Sequence, residues 1–179
     1  MFNTELHTPE YNVKGDEVAV FETSKGTIRV KLDGPGAPIH VGNFCELATM
    51  GFYDGLKFHR CVPGFVIQGG CPNTRDMTCD QVASGQPGPD GMPGTGGPGW
   101  CIHEEFSTNP RNSHEDGALA MARAMDPNSA GSQFYFCLGP QHNLDSGYTV
   151  FGFTLEGFDV IAALRAGDEI KHVEIIHEA

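Results

Sequence analysis

Three polar side chains of different chemistry, His59, Arg60 and Gln68, stand within an otherwise apolar stretch, FHRCVPGFVIQGG (58–70). An arginine is a permanent cation with several hydrogen-bond donors, and a glutamine carries both a donor and an acceptor. Burying guanidinium and imidazole on such sequence costs several kcal/mol unless they are paired or face a cleft. They are therefore either surface ion-pairing or capping residues, or one wall of a site. A second stretch, SQFYF (132–136), alternates so that Gln133 and Tyr135 share one face and Phe134 and Phe136 the other. One face belongs to the core and the other is free to line a site, but alone the two stretches name no reaction.

The elements that must position these residues are short. Residues 18–32, VAVFETSKGTIRVKL, alternate on both sides of Ser24-Lys25-Gly26 and predict a β-hairpin. Pro38 fits a first helical turn, Val41, Phe44, Leu47 and Ala48 fall at helical spacing, and Gly51 is a stop, which predicts one amphipathic helix. Pro63-Gly64 bends 58–70 into two strands, and further strands are predicted at 118–123, 132–138, 148–154 and 172–177. A second short helix fits 158–166, where Val160, Ile161 and Leu164 share a face. Many short strands with two helices predict a mainly β, closed or nearly closed antiparallel barrel. Between Gly70 and Trp100 the periodicity vanishes, and GQPGPDGMPGTGGPG (85–99) predicts a long loop. Its spaced glycines imitate collagen triplets, too few to hold a triple helix.

A chain of 179 residues predicts one domain with a sizeable core. A net charge of -12 should repel phosphate backbones and anionic lipid surfaces, which argues against nucleic-acid and membrane partners. The longest apolar runs are far short of the roughly 20 residues that span a bilayer, and residues 1–15 lack the apolar core of a secretory signal. These readings place the protein in the cytoplasm, with its six cysteines reduced.

The motifs PIHVGNFCEL, FHRCVPGFVIQGG, GTGGPGW, GALAMARAMDPNSAGSQFYF and LDSGYTVFG, spread from residue 18 to the C-terminus, together resemble the cyclophilin-type peptidyl-prolyl cis-trans isomerases. The resemblance implies an eight-stranded antiparallel barrel closed by two helices, residues 16–179, preceded by an N-terminal extension (1–15) and interrupted by the loop 71–100. The implied activity is rotation about X-Pro bonds in peptides and folding proteins, with no cofactor or metal.

By the same resemblance, Arg60 donates to the prolyl nitrogen in the twisted amide, Gln68 orients Arg60, the backbone N–H of Arg123 holds the carbonyl oxygen, and His59 lines the groove. Phe65, Val66, Tyr135 and Leu144 would form the proline pocket. Ala122, Arg123, Ala124 and Gln133 would hold the peptide backbone. Val66 stands where Met is common, Tyr135 where Phe is usual and Arg123 where Asn is common; Asn143 replaces the Trp of the cyclosporin-sensitive branch, and Tyr148 a common His. Tyr135 then needs a partner or water for its hydroxyl near the pocket floor, Arg123 gives the peptide-binding side chain length and charge, and cyclosporin is expected to bind weakly. Asn143 with Tyr148 looks more like prokaryotic members.

Cys71, Cys79, Cys101 and His103 bracket the Gly/Pro loop in no defensible zinc spacing. Reduced thiols, a Cys71–Cys79 or Cys71–Cys101 disulfide, and a metal site all remain open to the sequence. The rival function is a proline-peptide binding module or holding chaperone with little turnover.

Overall fold

The computed structural model describes residues 5–178; residues 1–4 of the expected N-terminal extension, and Ala179, lie outside them. Eight strands, β1 (Glu17–Thr23), β2 (Gly26–Leu32), β3 (Arg60–Val62), β4 (Val66–Gly69), β5 (Ala118–Met121), β6 (Phe134–Cys137), β7 (Val150–Glu156) and β8 (Ile170–His177), pair antiparallel in the order β3-β4-β6-β5-β7-β2-β1-β8. Every strand expected from the residue pattern is present; β5 and β6 are shorter by two and three residues, β7 lies two residues later, and β8 begins two residues earlier.

The sheet curls without closing as a continuous ladder, which corrects the expected closed barrel. β3 and β8 are edges, and the seam is made by irregular backbone just before them. Phe58 N–H donates to Asp168 O at 2.9 Å, Gly167 N–H to Phe58 O at 2.8 Å and Ile170 N–H to Leu56 O at 2.8 Å, around a single bridge between Lys57 and Glu169. Gly167, at φ +97°, turns the chain into this seam, a conformation that a side chain would strain.

Three helices accompany the sheet: α1 (Pro38–Thr49), α2 (Cys79–Ala83) and α3 (Phe158–Ala163). The short α2 corrects the expectation of an unstructured 71–100. Thr78 Oγ1 accepts the Gln81 N–H at 3.1 Å while Gln81 Oε1 accepts the Thr78 N–H at 2.9 Å, a reciprocal cap that nucleates one turn within turn-rich sequence. The N-terminus of α1 has no local side-chain cap. Its free N–H groups are met by distant Glu105, whose carboxylate accepts from Ile39 N at 3.1 Å and His40 N at 2.7 Å and pairs with His40 Nδ1 at 2.6 Å.

Strand alternation divides the apolar residues into two clusters. Phe21, Phe134, Phe136 and Phe151 point inside the curl and pack with Phe44 of α1 and Tyr53, while Val66, Ala118, Ala120, Tyr135, Cys137 and Val150 share the outer face. The inner cluster is the main core; the outer one lies under the site. Residues 5–16 lie along the body, with the His7 ring stacked on Trp100 at 4.2 Å and Tyr11 and Val13 packed against the core. Among the described residues no helix is long and apolar enough to cross a membrane.

Candidate active site

Antiparallel register sets Arg60 opposite Gln68, Gln68 opposite Tyr135 and Tyr135 opposite Ala120. Cross-strand partners project to the same face of a pleated sheet, so this row crosses four strands on the outer side of the curl. A hydrogen-bond chain runs along it. Arg60 Nη1 donates to Gln68 Oε1 at 3.3 Å, Gln68 Nε2 to Gln133 Oε1 at 3.1 Å, and Gln133 Nε2 to the carbonyls of Gly94 and Gly96 at 2.8 and 2.9 Å. The Gly/Pro loop is thereby tied to the sheet, and its glycines let the backbone come this close: a Cβ on Gly94, at φ +96°, would stand 3.3 Å from His59 Nε2.

The row opens into a cleft of about 480 Å³ lined by His59, Arg60, Phe65, Val66, Gln68, Ala122, Arg123, Tyr135, Leu144 and Tyr148, together with Pro93, Gly94 and Thr95 of the loop. A second cavity of about 360 Å³ adjoins it across Gln68, Gly94, Thr95, Ala122 and Arg123, and extends over Ala124 and Gln133 to Trp100, Cys101 and Ser129. Of the residues that the resemblance assigned to the site, all but Asn143 therefore line one of two adjoining cavities. Asn143, beside Leu144 in the tight turn 142–144, is exposed and lines neither.

Arg123 also departs from expectation. Its Nε donates to Gly147 O at 2.8 Å and its Nη1 to Ala124 O and Met125 O at 2.9 and 3.2 Å, while the guanidinium carbon lies 4.6 Å from the centre of the Tyr148 ring. The side chain is a fixed strut between two loops, not a free arm. Its backbone N–H has no hydrogen-bond partner among the described residues, whereas those of Ala122 and Ala124 donate to Gln133 O and Ser129 Oγ.

The hydroxyl of Tyr135 finds its partner beneath the cleft. His114 Nε2 lies 2.8 Å from Tyr135 Oη, and His114 Nδ1 lies 2.8 Å from Asp145 Oδ1, which also accepts the His114 backbone N–H at 2.7 Å. Burial holds the His114 pKa below its ordinary value despite the neighbouring carboxylate. For Asp145, burial acts upward and the hydrogen bonds from His114 and His142 more than offset it, leaving its pKa low. The geometry then fixes a neutral imidazole with Nδ1–H toward Asp145 and Nε2 accepting from Tyr135. His114 was not singled out in the sequence; the one clue was the buried hydroxyl that needed an acceptor. His59 is likewise neutral near pH 7. Burial, and secondarily Arg60, push its pKa down to about 4, and its Nδ1 is buried without a partner among the described residues.

All six cysteines are free thiols. Cys71 is buried and accepts the Gly96 N–H at 3.3 Å, Cys79 is exposed, and Cys101 lines the second cavity. The loop thiols thus support the loop's backbone at one point and border the groove at another.

This arrangement offers a largely apolar cleft lined by the Arg60 guanidinium, which donates one hydrogen bond to Gln68, and by Arg123, whose backbone N–H is unpaired among the described residues. Residues 18–178 match the family model described as cyclophilin type peptidyl-prolyl cis-trans isomerase/CLD. A peptidyl-prolyl cis-trans isomerase of Synechococcus elongatus is 44% identical over 163 residues, covering 90% of this chain and 97% of its own. A cyclophilin from Hirschia baltica superposes with a TM-score of 0.70 at 24% identity, over 90% of this chain and 74% of its own. A cyclophilin type isomerase from Cryptosporidium parvum, solved in the presence of the dipeptide Ala-Pro, does so with a TM-score of 0.65 at 24% identity, over 90% of this chain and 99% of its own. The chain belongs to the cyclophilin-type peptidyl-prolyl cis-trans isomerase family.

Proposed function

We propose that this chain catalyses cis–trans rotation about X-Pro bonds in peptides and folding proteins without a covalent intermediate. The observation that carries the reading is the Arg60–Gln68–Gln133–loop chain, which holds a cation beside the apolar wall of Phe65, Val66, Tyr135 and Leu144. The prolyl ring enters against Phe65, Val66, Tyr135 and Leu144, which are apolar or have their polar atom turned away toward His114.

Amide resonance gives the bond a barrier of about 18 to 20 kcal/mol, and exchange unaided takes tens to hundreds of seconds. Millisecond turnover requires removal of roughly 5 to 7 kcal/mol. In the twisted amide the prolyl nitrogen regains a lone pair, and Arg60 donates to it there and not in the planar ground state. A charged hydrogen bond contributes about 1.5 to 3 kcal/mol. The unpaired Arg123 N–H donates to the carbonyl oxygen, and a preorganised donor of that kind contributes up to about 3 to 4 kcal/mol. Gln68 and Gln133 keep the donor fixed, so little reorganisation accompanies the reaction. His59, neutral, walls the groove and adds no charge.

The relative from Cryptosporidium parvum supports proline-containing peptides as partners here, since its structure was solved in the presence of Ala-Pro. Cyclosporin binds weakly in this reading, because Asn143 supplies no indole and stands outside the cleft. Two-dimensional NMR exchange on a short Ala-Pro peptide tests the function. Exchange cross-peaks between cis and trans resonances at catalytic protein concentration are expected. Peptide shift changes with no accelerated exchange would establish a binding module instead.

A further inference from the structure

Among the residues lining the two connected cavities there is no aspartate or glutamate, although the chain as a whole carries a net charge of -12. The charged residues that do line them are Arg60 and Arg123, and neither is in an ion pair among the described residues. Arg60 is committed to the reacting bond. Arg123 lines both cavities and is held by three backbone carbonyls through Nε and Nη1, while Nη2 makes no hydrogen bond among the described residues. The carbonyls and the Tyr148 ring prevent the side chain from swinging away into solvent. A preorganised cation with one free nitrogen, at the junction of the proline pocket and the neighbouring cavity, is a receptor for an anionic side chain.

We infer that Arg123 is a specificity-determining residue through which the groove selects peptides carrying a carboxylate next to the proline, Glu-Pro over Lys-Pro. This rests on the isomerase reading above and names the substrate class of the same site. The preference runs against the protein's overall charge. At about 0.15 M salt the Debye length is about 8 Å, so carboxylates beyond that range are largely screened; of the nearer ones, Asp145 is hydrogen-bonded by His114 and His142, and Asp126 by the Asn128 N–H.

The test is kcat/KM for Ala-Xaa-Pro-Phe peptides with Xaa = Ala, Glu, Gln or Lys, at 0.15 M salt. The expected order is Glu above Gln above Lys, with Glu exceeding Lys by about fivefold, the size set by a single partly exposed charge contact. Arg123→Gln should bring the Glu to Lys ratio toward one, and Arg123→Lys, which keeps the charge and loses the planar fork, should retain most of it. Using the ratio within each variant removes any loss of activity common to all peptides. Equal kcat/KM for Glu and Lys in the unaltered protein overturns the inference without need of a variant, as does a ratio that survives in a folded Arg123→Gln. If the Ala peptide is not accelerated at all, the isomerase reading falls and this inference with it; if it is accelerated while Glu and Lys are indistinguishable, only the inference falls.

Discussion

Replacing Tyr135 by phenylalanine and His114 by leucine, singly and together, isolates the contact under the proline pocket. Tyr135 is 4% exposed and the His114 side chain is fully buried, so neither polar group can turn to water when its partner is lost. Tyr135→Phe leaves the His114 Nε2 lone pair unpaired and should cost about 1 kcal/mol. His114→Leu strands the tyrosine hydroxyl, at about 1 to 3 kcal/mol, and also removes one hydrogen bond from Asp145, which keeps its bonds from the His114 backbone and from His142. That sum is about 3 kcal/mol. In the double variant there is no hydroxyl to strand, and the cost falls to about 2 kcal/mol against an additive expectation of about 4. Urea unfolding of the four proteins at pH 7 measures the coupling, read from midpoints at equal m. A coupling near 2 kcal/mol is expected. Additivity within about 0.5 kcal/mol would show that Tyr135 does not depend on His114.

Acid stability should follow the neutral histidines. His59 has a folded pKa of about 4 against an ordinary value of 6.5, so between those values the unfolded chain binds the proton that the folded one refuses. Stability is full above pH 6.5 and is lost toward pH 4, by roughly 3 kcal/mol from His59 alone, with His114 adding in the same direction. Asp145, held low, loses its contribution only below that window. Urea midpoints between pH 7 and 4.5 should fall less in His59→Gln than in the unaltered protein, and parallel falls would contradict the assignment. Glu105→Gln replaces a carboxylate that caps α1 with an amide that places a donor against donors, and should cost about 3 kcal/mol in urea unfolding. Gln133→Leu unties residues 94–96 from the sheet. It should lower kcat/KM about tenfold and raise amide exchange at those residues with the rest of the fold unchanged; unaltered exchange there would show that the tether is dispensable.

Strands were legible where one side chain in two meets the core. The hairpin Val18 to Leu32 and the run 134–137 declare themselves this way, because both faces of each are given distinct work. The seam of the curl was not, since Lys57 and Glu169 meet through backbone atoms and leave no side-chain pattern. Helix α2 left a signal, Thr78 three residues ahead of Gln81, but with Val82 alone buried it carried no periodicity to draw notice. In the site, Arg60 and Gln68 stood out because polar residues on strand-forming sequence demand a reason. Their coupling to Gly94 and Gly96 was hidden because the acceptors are carbonyls of a loop with no sequence preference of its own. Arg123 was legible as a charge but not as a strut, because its partners are backbone oxygens of Ala124, Met125 and Gly147 and the ring of Tyr148.

The most direct test of the central claim separates turnover from binding in Arg60→Ala. Catalysed exchange of an Ala-Pro peptide and its dissociation constant are measured on the same sample by NMR, with circular dichroism as the check on folding. If the guanidinium bonds the prolyl nitrogen only in the twisted amide, kcat falls about 100-fold while the dissociation constant moves by no more than about threefold. An unchanged kcat, or a loss residing wholly in weaker binding, would contradict that role for Arg60.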